Sequence, residues 1–239
     1  MNAEIRAEGV GIRFLFDRHR RPVTPALARL RIGGSEAWGL HDMTFTVGRG
    51  EGVALIGPSG SGKTTLLRTI AGVVTPDVGN LTVRGRIASL LSVDAGVMAV
   101  LTGRENARLL GVLAGLPRKE ADRQIEEVRE RSNLGDHFDR PVLSYSQGMR
   151  ARLGFAVAEQ VAPDVLLLDE VHEALDHEFR NFVQERAQMI VAAGGIVVAA
   201  GHDHPMLERL CSRAFLLERG VLRADGPFRE VQQTYLGPS

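Results

Sequence analysis

The sequence lacks the features of a secreted or membrane-spanning protein. Its single cysteine, Cys211, cannot form an internal disulfide, fits a reducing compartment and is expected to be a small buried apolar residue. Residues 1–10 carry neither the basic segment nor the apolar segment of a signal peptide. The longest nearly unbroken apolar run, residues 190–201, is too short to cross a bilayer and contains two adjacent glycines. We therefore expect any membrane role to depend on a partner.

The sequence also lacks net charge. Its 29 Lys and Arg residues equal its 29 Asp and Glu residues in number, so no overall field favours nucleic acid or an acidic partner. One local basic region, residues 17–37, is interpreted as a loop or short helix between two strands. A solvated connector is the favoured interpretation, and contact with anionic lipid head groups or an acidic protein surface is the alternative.

The stretch around which the chain is organised comprises residues 53–72. Residues 53–56 form a short apolar run typical of a buried strand, and residues 66–70 carry apolar side chains at helical spacing. Between these elements, residues 57–64 match the phosphate-loop pattern G-x-x-x-x-G-K-[ST] at every fixed position. The strand before the loop and the helix after it are the context that this pattern requires. The sequence therefore predicts that the protein binds a nucleotide.

Each residue type in this loop suits a phosphate ligand. Glycines allow successive backbone N–H groups to converge, and the N-terminus of the following helix adds partial positive charge. In this pattern the Lys63 ammonium reaches the β- and γ-phosphates, and the Thr64 hydroxyl ligates Mg²⁺. A glycine-rich turn without a ligand is the disfavoured alternative. The predicted nucleotide-binding residues of the loop are Gly57, Pro58, Ser59, Gly60, Ser61, Gly62, Lys63, Thr64 and Thr65.

Polar residues follow two further apolar runs. Residues 165–168 are wholly apolar and are followed by Asp169 and Glu170. Residues 196–200 have a second buried-strand pattern, and His202 follows closely. Because open α/β sheets place their chemistry at the carboxyl ends of parallel strands, we expect these side chains at one edge. There one carboxylate can hold Mg²⁺ and the other can polarise a water molecule, with the histidine as a third polar group.

The 239 residues suffice for one sizeable α/β domain with a subdomain. Patterns of alternating apolar residues at 5–16 and 38–47 predict strands before the phosphate loop, and residues 215–222 predict a hairpin. A capping box at residues 102–105 predicts a helix start. We expect a helical insertion over about residues 95–160.

Two helices of this insertion carry further signals. The first has Leu109, Leu110 and Leu113 on one face. The last begins after the small-residue turn Ser146-Gln147-Gly148. Because the N–H groups at a helix N-terminus favour anions, this turn predicts a second anion-binding site.

Taken together, these residues resemble the nucleotide-binding subunit of an ATP-binding-cassette (ABC) transporter over nearly the whole chain. The resemblance implies a P-loop NTPase of the ABC-ATPase type, with a mostly parallel core sheet, an N-terminal antiparallel β subdomain and the helical insertion. It implies one such domain over residues 1–239. For catalysis, the resemblance implies that Lys63 binds the phosphates, Thr64 and Asp169 hold Mg²⁺, Glu170 is the catalytic base and His202 is the switch histidine. It implies that Ser146, Gln147 and Gly148 form the signature turn, and that Asp176 lies in a dimer-contact loop with Ala174 and Leu175. It also implies that Phe14, or less favourably Phe16, stacks on adenine.

A closer resemblance is to the ABC subfamily that exports polysaccharides such as O-antigen, capsule and teichoic acid. Residues 101–106 and 145–156 look like the L-T-G-R-E-N and Y-S-S-G-M-x-x-R-L-x-F-A motifs of that subfamily. This resemblance implies ATP hydrolysis with Mg²⁺ that drives glycan export across the bacterial inner membrane. It also implies a polytopic transmembrane permease as partner and a head-to-tail dimer of the ATPase, expected to be a homodimer. The chain would then be peripheral, on the cytoplasmic face, with no nucleic-acid partner.

Two departures from the family pattern affect these expectations. The loop before the helical insertion usually holds a glutamine, and no glutamine occurs between residues 81 and 123. Ser92 and Asp94 are the candidates to replace it. The chain ends at Ser239, which leaves no room for the extra C-terminal carbohydrate-binding β-sandwich of some exporters. We therefore expect the membrane partner to select the substrate.

Other functions remain as alternatives to export. A soluble cassette ATPase of translation or DNA repair would usually show two cassettes or a long coiled coil, which this sequence lacks. A small-molecule kinase would need neither the signature turn nor His202. A nucleotide-regulated scaffold without hydrolysis would fit the missing glutamine. His172, His177 and His204 have no compact metal-ligand spacing and are expected to be surface residues.

Overall fold

The computed structural model of the protein describes residues 3–16, 35–91, 96–169 and 176–237. Both predicted strands before the phosphate loop are present, although the basic region between them lies largely outside the described residues. The strands are β1 (Glu4–Phe16), β2 (Ser35–Val47), β3 (Gly52–Ile56), β4 (Val78–Arg84), β5 (Ile87–Leu90), β6 (Val165–Asp169), β7 (Ile196–Ala200), β8 (Arg213–Glu218) and β9 (Val221–Pro227). The α-helices are α1 (Lys63–Ile70), α2 (Gly103–Leu113), α3 (Arg118–Ser132), α4 (Gln147–Gln160), α5 (His177–Ala192), α6 (His204–Leu210) and α7 (Phe228–Leu236).

The core of the fold is a six-stranded sheet in the order β5-β6-β7-β3-β8-β9. The first five strands pair in parallel, and β9 pairs antiparallel with β8 through the predicted hairpin. Its turn residues Arg219 and Gly220 have φ of 51° and 77°, as a two-residue hairpin turn that matches strand twist requires. Every residue of β3, β6 and β7 is buried, which agrees with the apolar runs at residues 53–56, 165–168 and 196–200.

A separate antiparallel sheet, in the order β2-β1-β4, packs against one side of the core sheet. Its inward residues, such as Ile5 and Met43, form one apolar cluster with Leu66 and Leu67 of α1 and the facing residues of the core sheet. The opposite face of the core sheet packs against α4, α5, α6 and α7 in a second apolar cluster. The result is the predicted α/β fold, with a mostly parallel sheet covered on both faces.

Between β5 and β6 the described chain is mostly helical and has its own apolar cluster, which includes Ile125, Phe138 and Leu153. The capping box is present, because the Thr102 hydroxyl accepts from the Glu105 N–H at 3.2 Å and the Glu105 carboxylate accepts from the Thr102 N–H at 2.8 Å. Within the described residues, no helix combines the length and the apolar character needed to span a bilayer.

The buried face of α2 differs from the leucine face that the sequence suggests. Leu113 is 69% exposed, whereas Gly103, Asn106, Ala107 and Gly111 are buried. The small residues allow close packing, since a Cβ at Gly111 would lie 3.4 Å from the Ala121 Cβ of α3. Close approach of the neighbouring helix therefore decides which face of α2 is buried, and hydrophobicity alone does not.

Candidate nucleotide site

The phosphate loop connects β3 to α1 and has a backbone that glycine favours at three positions. Gly57, Gly60 and Gly62 have φ of 139°, 76° and 108°, in the region that side chains disfavour. At Gly57 packing adds a second constraint, because a Cβ would lie 2.1 Å from the Leu217 carbonyl oxygen of β8. At Gly60 no described atom beyond the adjacent residues lies within 4 Å of that position, so the backbone conformation is the constraint there.

A hydrogen bond from the β8–β9 turn holds the loop, and a second one joins that turn to β2. The Ser61 carbonyl accepts from the Gly220 N–H at 2.9 Å, and the Gly220 carbonyl accepts from the His41 N–H at 2.7 Å. The β8–β9 turn therefore lies between the loop and β2. The Ser61 hydroxyl is buried and has no hydrogen-bond partner among the described residues. The loop is thus fixed by its backbone, and one buried hydroxyl in it remains available to a ligand.

The start of α1 suits a phosphate group. Lys63 is buried, and its ammonium donates to the Gly57 carbonyl at 2.8 Å and to the Pro58 carbonyl at 3.2 Å, which places the charge over the loop. Gly62 caps the helix without a side-chain hydrogen bond, and no acidic residue lies in the first turn. The N-terminal N–H groups and their partial positive charge therefore face a site without a competing carboxylate from the helix itself.

Two aromatic side chains extend this site into a pocket of about 440 Å³. Phe14 and Trp38 are 37% and 41% exposed, and both line the pocket with loop residues 59–65. The Arg13 guanidinium lies over the Trp38 ring, 5.1 Å from its centroid, in a cation–π contact. The sequence prediction included Phe14 and missed Trp38. The only sign of Trp38 in the sequence is that it is the single tryptophan and lies on a predicted strand.

Asp169 lies at the same edge of the sheet as the phosphate loop. It is the last residue of β6 and pairs with Ala200 of β7, which also pairs with Leu55 of β3. Its side chain is only 7% exposed. Among the described residues no group of three or more His, Cys, Asp or Glu side chains could hold a metal by itself. Mg²⁺ bound with a nucleotide needs only one or two protein carboxylates, so the buried Asp169 and the half-buried Thr64 fit this ion.

His202 follows β7 at this edge and is exposed. Its carbonyl accepts from the His204 N–H at 3.0 Å, and the Asp203 carboxylate accepts from the Met206 N–H at 3.1 Å to cap α6. Burial lowers the pKa of His204; the charges of His202 and Lys63 add to this lowering, and Asp203 opposes it. The His202 turn and the phosphate loop follow β7 and β3, which are neighbouring parallel strands, so both lie at the same edge of the sheet.

Several predicted residues lie outside the described residues. Glu170 and the dimer-contact residues Ala174 and Leu175 belong to this group, as do Ser92 and Asp94, the candidates for the missing glutamine. His172 also lies there. For the strand that ends in Asp169, the described chain therefore stops one residue before the predicted base.

The predicted signature turn forms a second, separate pocket of about 390 Å³. The Ser146 hydroxyl caps α4 by accepting from the Met149 N–H at 3.2 Å, and Gly148 lines the same pocket, whereas the exposed Gln147 does not. None of the described residues that line this pocket lines the phosphate-loop pocket. Within one chain the structure therefore does not bring Ser146 to the phosphate loop.

Asp176 lies at this second pocket and not beside the phosphate loop. Its carboxylate accepts from the Phe179 N–H at 2.9 Å and forms an ion pair with Arg152 of α4. The N–H of Phe179 and then Arg152 lower the pKa of Asp176. The Arg152 guanidinium also lies 4.8 Å from the Phe179 ring centroid. Arg152 therefore joins the signature helix to the start of α5, a role that the sequence did not predict.

The fold and the phosphate loop define a P-loop nucleotide-binding protein of the α/β class. The sequence model of the family described as "ABC transporter" matches residues 40–173. The O-antigen export system ATP-binding protein RfbB of Klebsiella pneumoniae is 38% identical over 211 residues, which cover 88% of this chain and 86% of that protein. The chain belongs to the ABC transporter family, and it is an ATPase of that family.

Other relatives and solved structures are similar to this chain. The teichoic acids export ATP-binding protein TagH of Listeria monocytogenes serotype 4b is 33% identical over 83% of this chain and 59% of its own length. The dimeric post-hydrolysis structure of the ATP-binding cassette MJ0796 bound to ADP and Pi has a TM-score of 0.76 at 20% identity. It covers 94% of this chain and 99% of its own, which confirms the predicted fold.

Proposed function

We propose that this ATPase powers the export of a polysaccharide or lipid-linked glycan across the bacterial inner membrane through a separate permease. The ATPase part of this proposal rests mainly on the placement of the phosphate loop, the buried Asp169 and the His202 turn at one edge of the core sheet. The names of the relatives RfbB and TagH point to export of cell-surface polymers. The chain would act at the cytoplasmic face of the membrane, with no nucleic acid involved.

The side chains at this edge divide the work of hydrolysis. Lys63 and the loop N–H groups hold the β- and γ-phosphates, and Phe14 and Trp38 enclose the adenine ring. Thr64 and Asp169 would hold Mg²⁺, which when bound neutralises charge on the phosphate oxygens. Glu170 orients or deprotonates the attacking water, and His202 donates a hydrogen bond to the γ-phosphate.

The site is completed by a second copy of the chain. Among the described residues, the pocket lined by Ser146 and Gly148 shares no residue with the phosphate-loop pocket. Each of the two pockets nevertheless lies at a helix N-terminus, and the two N-termini together suit one anion. In a head-to-tail homodimer the signature turn of one subunit covers the γ-phosphate bound to the other. Gln147 and Asp176 would lie at this interface, and loss of the γ-phosphate would open it.

A polytopic permease would contact the helical segment. Met98, Val100 and Leu143 are 49%, 75% and 71% exposed, and they lie on two segments joined by a hydrogen bond from the Leu143 N–H to the Ala99 carbonyl at 2.8 Å. Such an apolar patch is costly to leave in water and suits a partner protein. Val100→Asp should leave the ATPase activity of the isolated chain unchanged and reduce co-purification of the permease. Val73→Asp, at another exposed apolar residue, is the matched control.

The decisive experiment measures ATPase activity of the purified chain, alone and with the membrane protein that co-purifies from its native host. We expect turnover that the partner stimulates and that Glu170→Gln abolishes, with an ATP-bound dimer accumulating in size-exclusion chromatography. Wild-type turnover in Glu170→Gln would exclude the catalytic role of this residue. Nucleotide binding without turnover and without a membrane partner would instead favour a nucleotide-regulated scaffold, and phosphoryl transfer to an added acceptor would indicate a kinase.

A further inference from the structure

The turn that carries His202 is continuous with helix α6. The His204 N–H donates to the His202 carbonyl at 3.0 Å, and Asp203 caps the helix through the Met206 N–H at 3.1 Å. Met206 and Leu207 are buried in the core beneath the helix. A shift of the first turn of α6 therefore moves the His202 backbone with it.

The C-terminal helix α7 contacts the partly exposed face of α6 at two levels. Gln232 lies 3.2 Å from the His204 ring nitrogen Nδ1, measured from its amide nitrogen, and the Tyr235 ring centroid lies 5.8 Å from that of His204. One turn further along α6, Glu208 accepts from Arg229 at 2.5 Å. His204 and Glu208 are four residues apart and therefore share a helix face. This face is held by a neighbouring helix and is not simply solvated.

A third helix, α5, also contacts this turn. Arg180 of α5 lies 3.7 Å from the Asp203 carboxylate. Helix α5 is capped by Asp176, the residue that we propose at the dimer interface. The His202 turn is thus attached both to the helix that starts at this interface and to α7.

We propose that Gln232 and Tyr235 are positioning residues, which hold His204 so that His202 is directed toward the γ-phosphate. This inference rests on the proposed role of His202 in ATP hydrolysis. Neither Gln232 nor Tyr235 is among the described residues that line the phosphate-loop pocket, so their effect would be exerted through the position of the turn. α7 would then be a second element, besides the dimer interface, that determines the position of His202 relative to the γ-phosphate.

The charges around His204 favour the state that this contact needs. When the Gln232 amide nitrogen donates, Nδ1 of His204 must be unprotonated. Burial, His202 and Lys63 favour the neutral ring, and Asp203 opposes it. On the facing helix, the Arg229 charge is paired with Glu208. These groups therefore leave the His204 ring neutral near neutral pH, so that its Nδ1 can accept from Gln232.

The test compares Gln232→Ala and Tyr235→Ala with two matched controls in the full-length chain. Gln233→Ala makes the same change at the next, exposed residue, and Tyr235→Phe retains the aromatic ring. We expect kcat for ATP hydrolysis to fall about three- to tenfold in the two test variants, as the loss of one hydrogen bond or ring contact predicts. KM for ATP should change less than about twofold, because the phosphate loop is untouched. Both controls should retain wild-type kcat.

Combination with His202→Ala separates this inference from the proposed function. Adding Gln232→Ala to that variant should cause no further loss of its residual turnover, because Gln232 acts through His202. Additive losses, unchanged kcat in Gln232→Ala, or an equal loss in Gln233→Ala would overturn the positioning role. Full activity of His202→Ala itself would instead overturn the proposed role of that histidine. Thermal unfolding of each variant identifies losses that come from misfolding, and Tyr235→Ala then tests the contact if Gln232→Ala does not fold.

Discussion

Replacing either pocket aromatic with alanine should weaken ATP binding without unfolding the protein. Phe14 and Trp38 both line the phosphate-loop pocket, and each is more than one-third exposed. They therefore have apolar surface available for an adenine ring, and they contribute less to the core than fully buried aromatic side chains would. We expect Phe14→Ala and Trp38→Ala each to raise the Kd for ATP.

The size of this effect follows from stacking. Alanine replacement of an aromatic residue stacked on a base costs about 1–3 kcal/mol, which corresponds to roughly a 5- to 150-fold increase in Kd. Trp38 should give the larger value, since its indole is wider and already contacts Arg13 at 5.1 Å and the His41 ring at 4.8 Å. Its ordering cost on binding is therefore reduced.

The assay is a titration of ATP and of tripolyphosphate, which has the phosphates without the base. Stacking predicts weaker binding of ATP only, with the Kd for tripolyphosphate unchanged in both variants. Trp38→Phe is the control that retains an aromatic face. Equal weakening for both ligands would show that the substitution distorts the phosphate loop, and unchanged ATP affinity in both variants would refute adenine stacking at this pocket.

Three further predictions follow from packing. Gly57→Ala should reduce ATP affinity more than about tenfold in the same titration, because a Cβ would lie 2.1 Å from the Leu217 carbonyl oxygen; normal affinity would contradict the observed loop position. Phe155→Ala should lower the free energy of unfolding by about 3–5 kcal/mol in chemical denaturation, whereas Leu113→Ala, at a 69% exposed site, should change it by less than about 0.5 kcal/mol. Cys211 is fully buried, which raises its pKa well above the usual range, so iodoacetamide should label it only after unfolding; labelling of the native protein would indicate local opening.

Local sequence patterns were sufficient to predict the elements around the site. The phosphate loop binds through consecutive N–H groups, so its function is encoded in one contiguous stretch between a strand and a helix. The edge that holds Asp169 and His202 also follows from sequence, since buried apolar runs indicate parallel strands and their ends meet at one edge. The capping box at Thr102 is predictable because both of its hydrogen bonds lie within four residues.

Contacts between distant segments had to come from the tertiary structure. Trp38 lies beside the phosphate loop because β2 pairs with β1. The helix N-termini at Lys63 and Ser146 lie at two different pockets. The contact of Gln232 with His204 depends on how α7 packs across α6. Hydrophobic periodicity predicts the apolar face of each element but not the neighbour that covers it. In α2 the buried face consists of small residues, so close helix packing can decide burial against the leucine pattern. The sequence by itself therefore determined the chemistry of nucleotide binding, and the packing of the sheets and helices decided which residues complete the site.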